Sequence, residues 1–473
     1  MPANRRRPAT ENLDRSMRPT VRGLFTTPAG LLSVALLTVE LVGGIQSYVT
    51  STVTPLAAEA LHGESMYGLA QGANQVGMFL TLPLGAYLAE GYSRSRLLLA
   101  FTGLAIVGAV VGAAAASMSW YVVGRGLTGL SSGALATIAM NVVATSLPHR
   151  WRRLVLAGYA GMWVVTSLVG PLYASWVSAL VGWRWTMVLY LPLLVGARFL
   201  VARHLPGSAP SDDAPKDRLN VGASIALATG IALVSTAGST PLPSALSAAI
   251  GTATVLLAAR SLLPAGTARM RRGRPAALAL LGILTSVYFG ASAVITIVGH
   301  DRFGLGPAGV GLLLTLGGLG WAVVGLLGGR RPTPNDGGLL LRLRCGGGLL
   351  AASLMLVALA PIAGERRVAL AALFLGWTAA GAGMGLCYLE LLVRIVDRPL
   401  IDDGITASRA AAAAVMVEMI ATALATTATA SAFSIGASTT VVTAVYSVLA
   451  AGAGLLVVFL SRMMEKTKGG RRR

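Results

Sequence analysis

Of the 473 residues, 55% are hydrophobic and only 12% charged, about half the charged fraction of an ordinary soluble domain. The formal net charge is +20, but the arginines sit in short connections and at the two ends rather than interleaved with aromatics on one face, which argues against a nucleic-acid surface and for positive charge kept on the cytoplasmic side of a membrane. Two cysteines far apart and four scattered histidines speak against a disulfide framework or a metal centre, and no cofactor is implied.

In chain order, Met1 to Arg22 are polar and rich in Arg and Pro. They lack the apolar core and cleavage site of a signal peptide, and residues 1–28 read as a cytoplasmic tail. Six apolar runs follow: Ala29–Val53, Tyr67–Ala89, Leu97–Ser117, Trp120–Leu147, Leu154–Val181 and Thr186–Val201. Most are about 20 residues or longer, enough to cross a bilayer as a helix. Arg203 to Asn220, with Pro206, Pro210 and Pro215, is the clearest linker. Two further runs, Val221–Ala237 and Leu242–Ala259, precede a basic stretch from Arg260 to Arg274. The last six runs are Ala276–Val298, Ala308–Gly328, Leu339–Ala360, Val368–Ile395, Thr406–Ala430 and Thr439–Leu460.

The expected fold class is therefore an all-α membrane protein with about fourteen transmembrane helices. A six-helix bundle spans 29–202, a linker 203–220, an inserted helical pair 221–259, a second linker 260–275, a second six-helix bundle 276–462 and a basic tail 463–473. Arginine distribution supports this order. Arg94 and Arg96 follow the second run, Arg150, Arg152 and Arg153 the fourth, Arg269 to Arg274 the eighth, and Arg394 and Arg398 the twelfth. The opposite gaps hold only Arg184, Arg302, Arg366 and Arg367. An even number of spans places both termini in the cytoplasm. Sparse lysine beside abundant Ala, Gly and Arg suggests a GC-rich bacterial genome.

Several motifs lie in order along these runs. The second ends Gly85-Ala-Tyr-Leu-Ala-Glu90-Gly-Tyr-Ser-Arg94-Ser-Arg96. The fourth holds Arg125-Gly-Leu-Thr-Gly129, and the fifth Gly170-Pro171 flanked by Thr166, Ala174 and Ser175. The sixth opens Trp183-Arg184-Trp185 and reaches Pro192. This set resembles the major facilitator superfamily over nearly the whole chain. It is similar above all to the fourteen-helix drug:proton antiporter branch, in which a helical pair is inserted between two six-helix halves. The resemblance implies gating or motif roles for Glu90, Arg94, Arg96, Arg125, Gly129, Gly170 and Pro171. Glu90 stands where the family usually has Asp, and Ser93 where it has Gly. In the first run, alignment on Pro55 places Gln46 at the position of the branch's aspartate. An amide cannot titrate, so if the branch's aspartate carries the proton, this chain has to use another group or couple differently.

Three acids inside apolar runs are the candidates for proton coupling. Glu40 lies about eleven residues into the first run, Glu418 inside the thirteenth among Ala, Val and Met, and Glu390 late in the twelfth. Charge at such depth is costly, so an intramembrane acid marks a functional site or is paired. Arg394, one turn beyond Glu390, suggests an i,i+4 pair. Gln46, Gln71, Asn74, Gln75, Asn141, Tyr159, Trp163 and Tyr388 are candidates for a substrate path, because amphiphilic ligands are held by aromatic surface and a few polar groups.

The sequence thus predicts a monomeric secondary transporter in the plasma membrane. It would exchange small amphiphilic compounds for protons, with two bundles rocking about a midplane site. Its partners are the small-molecule substrate, protons and the lipid bilayer, with no nucleic acid. Export or flipping of an envelope lipid is the alternative. An enzyme is disfavoured: no P-loop, H-E-x-x-H or H-x-x-x-x-D appears.

Overall fold

A computed structural model describes residues 21–63, 66–205, 220–235, 243–331, 333, 335–396, 405–433 and 436–463. The N-terminal tail up to residue 20, most of the linker (206–219) and the basic tail from 464 onward lie outside the described residues.

After a short helix at Val21–Thr26, the first bundle comprises α1 (Pro28–Ala60), α2 (Tyr67–Gly91), α3 (Arg94–Ala113), α4 (Met118–Ser146), α5 (His149–Val181) and α6 (Leu191–His204), the last preceded by a single turn at Trp183–Thr186. Next come α7 (Val221–Ser235) and α8 (Ser244–Leu262). The second bundle is α9 (Arg274–Ile297), α10 (Pro307–Arg330), α11 (Asp336–Leu359), α12 (Arg366–Val396), α13 (Ala407–Ala432) and α14 (Thr439–Phe459). No strand occurs among the described residues.

Local chemistry sets the helix ends. The Thr27 hydroxyl accepts from Gly30 N–H and caps α1, with Pro28 at the first helical position, where its missing N–H costs nothing. Asn335, Thr406 and Ser438 cap α11, α13 and α14 in the same way. Helix α5 ends at Gly182, whose φ of 87° lies in the left-handed region that glycine enters without a steric cost.

Among the described residues, twelve helical segments can cross a membrane by length and composition, against about fourteen expected from apolar runs. The other two are instructive. Helix α2 has 25 residues but carries Gln71, Asn74 and Gln75 in its first half. Helix α7 is apolar and has 15 residues. Helix α1 continues seven residues past the predicted end at Val53, through Pro55.

The two bundles repeat one packing pattern. In the first, α2 and α3 pack on α4, α5 and α6 on α1, and α3 on α6. In the second, α10 and α11 pack on α12, α13 and α14 on α9, and α11 on α14. Between bundles, α5 meets α10, and α4 and α2 meet α13. Helices α7 and α8 pair with each other, and α7 rests on α2 and α13. The α2–α4 crossing is backbone-close: a methyl group on Gly129 would overlap the Asn74 carbonyl. Small residues permit such approach where apolar surface gives helices no reason to prefer each other over lipid.

Candidate functional site

Two intramembrane carboxylates face the junction of the bundles. Glu40, on α1, is half-buried, and its Oε1 accepts a hydrogen bond of 3.0 Å from Trp163 Nε1 of α5. Glu418, on α13, is also half-buried. The Tyr388 hydroxyl of α12 lies 3.0 and 2.9 Å from its two oxygens, and its single proton is donated to that carboxylate. The first pair belongs to one bundle and the second to the other. Glu40 and Glu418 are within electrostatic reach of each other, and Tyr388 is within reach of Glu40 and Tyr159. Among the described residues, neither carboxylate has a cationic partner. Each is held by a neutral donor, which an acid can keep whether or not it carries a proton.

An aromatic wall backs Glu418. Tyr388 meets Trp321 edge-on with centroids 5.4 Å apart, Trp321 meets Tyr288 likewise, and Tyr288 stacks on Trp377 at 5.4 Å. Phe289 completes the group against Trp321. These rings come from α9, α10 and α12. Of them, only Tyr388 was singled out from sequence; the others share no periodicity that links them along the chain.

A second cluster ties the bundles together at the arginine-rich end. Arg153, at the start of α5, donates to both Glu390 oxygens of α12 and, at 2.9 Å, to the Gly328 carbonyl of α10. Arg342 of α11 reaches the same carboxylate at 2.5 Å. Glu390 is only 3% exposed and Arg153 5%. The predicted i,i+4 pair with Arg394 does not form. Arg394 instead lies 3.5 Å from Asp336, because the inter-helix guanidinium groups of Arg153 and Arg342 already occupy Glu390. Asn141 of α4 donates to Ser408 of α13, a further tie between bundles at this end. Further along, α5 meets α10 at Ala160 with Gly325 and at Val164 with Gly318. Beyond that point Leu168, Leu172, Trp176 and Leu180 of α5 are exposed.

Other predicted positions fall elsewhere. Asn74 donates to the Arg125 carbonyl and to Thr128, tying α2 to α4. Gln75 accepts from Ser235 of α7. Gln71 is half-buried on α2. Arg94 donates to Ser146 at 3.4 Å, Arg96 is exposed, and Glu90 is half-buried beside them. Gly170 packs on the Tyr48 ring and Thr166 donates to the Leu41 carbonyl, so the Gly170-Pro171 segment is the α5–α1 contact. Gln46 and Arg125 share a small cavity inside the first bundle, apart from Glu40. Among the described residues, no group of acids, cysteines and histidines could hold a metal.

Fold and site together define a polytopic helical membrane protein with two like bundles and polar groups at their junction. The family model of the Major Facilitator Superfamily, a family of transporters, matches residues 36–426, and the chain belongs to that superfamily. It is 30% identical over 161 residues to an uncharacterized MFS-type transporter, YwfA, of Bacillus subtilis, covering 34% of this chain and 39% of the relative. It is 32% identical over 174 residues to a triacylglyceride transporter of Mycobacteroides abscessus (36% and 34%), and 21% identical over 174 residues to the efflux pump dotC of Dothistroma septosporum (35% and 30%). The matched stretches thus span 30% to 39% of these curated relatives. In fold, it is similar to the human organic anion transporter MFSD10, with a TM-score of 0.63 at 15% identity, covering 94% of this chain and all of that one. At that identity the likeness speaks to fold alone.

Proposed function

We propose that the protein is a proton-coupled exporter of small amphiphilic compounds, working by alternating access in a bacterial plasma membrane with both termini in the cytoplasm. The observation that carries this reading is the pair Glu40 and Glu418. They come from opposite bundles, lie within electrostatic reach and are held by Trp163 and Tyr388 without a cationic partner among the described residues. Two like charges at one junction repel, so a proton on either acid favours the bundles' approach, and its loss favours their separation. Coupling through these acids also removes the need for a titrating group at Gln46. The rings of Trp321, Tyr288, Phe289 and Tyr388 supply apolar area for an amphiphile beside the acids.

We assign Glu390 to gating instead. Held between Arg153 and Arg342, it closes the arginine-rich end, which is the cytoplasmic end by the positive-inside rule. The described conformer is then closed to the cytoplasm. The likeness to the efflux pump dotC supports export. The stretch similar to a triacylglyceride transporter favours a second reading, a lipid cargo, and the same assay separates the two.

In proteoliposomes under an imposed pH gradient, Glu40→Gln is expected to abolish gradient-driven drug transport while expression and detergent stability stay at wild-type level. Full gradient-driven transport in that variant would sink the assignment. Translocation of a fluorescent lipid with no drug transport in the wild type would favour the lipid reading.

A further inference from the structure

We propose that the cavity beside Arg125, inside the first bundle, is a binding site for a small monovalent anion of halide size. Arg125 lies on α4 and is 5% exposed. A guanidinium keeps its proton in any protein environment, and a buried charge without a counter-charge is costly. Its hydrogen-bond partner is neutral: one terminal nitrogen donates to the Thr50 hydroxyl at 3.0 Å. Its Nε is buried and, among the described residues, makes no hydrogen bond.

The surroundings are rich in donors and poor in acids. The cavity is lined by Gln46, Thr50, Tyr121, Arg125, Thr128 and Tyr190 together with apolar side chains. Thr54 gives its hydroxyl proton to the Thr50 carbonyl at 2.7 Å, so the Tyr121 hydroxyl is the donor in its own 3.0 Å bond to Thr54. Thr128 gives its proton to the Arg125 carbonyl. The donors left over include the Arg125 Nε, the Thr50 hydroxyl, the Gln46 amide and the Tyr190 hydroxyl. Arg198 is also within electrostatic reach of Tyr190. The groups within electrostatic reach of Arg125 are Tyr121 and Tyr190, with no carboxylate among them. Glu40, on the same helix as Gln46, is committed to Trp163.

Size selects the occupant. The cavity volume is about 10 Å³, near the lower limit of ~10–15 Å³ for one water-sized occupant. A monatomic anion, somewhat larger than a water molecule, or one oxygen of a carboxylate group is the most that this space takes once its side chains adjust, and a whole organic substrate is far too large. The anion supplies the counter-charge to Arg125 that Gln46, being an amide, does not.

The test uses the purified full-length chain in detergent, with intrinsic-fluorescence melting at constant ionic strength. Chloride is titrated against gluconate, with acetate as a separate arm. A saturable rise in the melting midpoint with chloride is expected. Gln46→Asp places a carboxylate beside Arg125, so its midpoint in gluconate should rise and its chloride response vanish. Arg125→Gln should lose the response too; if that variant does not fold, Gln46→Asp decides alone. Crystals soaked in bromide should show anomalous density within hydrogen-bonding distance of Arg125. An acetate response equal to that of chloride, and lost in Gln46→Asp, supports the site and extends it to carboxylates. Absence of any response specific to chloride or acetate in the wild type, or a response that persists in Gln46→Asp, overturns the proposal.

Discussion

Asn74 and Gln75 are adjacent in sequence, yet each turns to a different neighbour: Asn74 to α4 and Gln75 to the inserted helix α7. In an apolar surround a polar side chain is retained where a partner satisfies it, so these residues hold helices together. The carbonyl of Asn74 is also the atom that a side chain on Gly129 would strike. Gly129→Leu should therefore force α2 and α4 apart and lower stability by about 1–3 kcal/mol, the usual cost of overpacking. Gly196 of α6 has open space at its Cβ position, and Gly196→Leu is the control. Melting of both variants in detergent checks the difference, and equal midpoints would contradict the crossing. The same logic explains what sequence could identify. Glu40 and Glu418 stand out because an acid within an apolar run is rare. Trp321 and Trp377 do not, because aromatic residues in spans are ordinary and only tertiary packing gathers them around Tyr288.

Helix α1 shows where apolar length misleads at the scale of an element. Its apolar run stops at Val53 because Thr54 and Pro55 follow, but the Thr54 hydroxyl bonds back to the Thr50 carbonyl and the helix continues to Ala60. The order of helices was readable, since each arginine-rich gap fixes the side on which its neighbours end. Which helix packs on which was not, because that depends on contacts between residues far apart in sequence. The inserted pair is the clearest case. Gly230 of α7 and Gly251 of α8 approach so closely that a methyl group on either would press on the other's carbonyl. The pair leans on the bundles through α7. Gly230→Leu is expected to splay α7 from α8, to lower the melting midpoint less than Gly129→Leu does, and to leave gradient-driven transport in place. Loss of transport with a normal midpoint would show that the pair takes part in the cycle.

At the scale of the whole molecule, the contacts between bundles are unequal along their length. Arg153, Arg342, Glu390, Asn141 and Ser408 tie the arginine-rich end, while the far half of α5 leaves Leu172, Trp176 and Leu180 exposed. An equilibrium between two arrangements of the bundles is governed by the difference between their contacts. Glu390 therefore has leverage that its position alone would not give. Leaving a buried charge without its partner costs about 3–5 kcal/mol, and Glu390→Gln would leave Arg153 and Arg342 facing each other across a neutral amide. Even ~1.4 kcal/mol of that penalty, felt only in the closed arrangement, moves the balance tenfold. A reporter is available at Ala157 of α5, which is buried against Gly329 of α10 in the closed end. With Cys345 and Cys387 replaced, a cysteine introduced by Ala157→Cys should react slowly with a water-soluble maleimide in the parent and at least several-fold faster when Glu390→Gln is added. Glu390→Asp, which keeps the charge, should restore part of the protection. Equal labelling rates in the parent and the Glu390→Gln variant would mean that the buried ion-pair cluster does not hold that end closed, and the gating role assigned to Glu390 would fall with it.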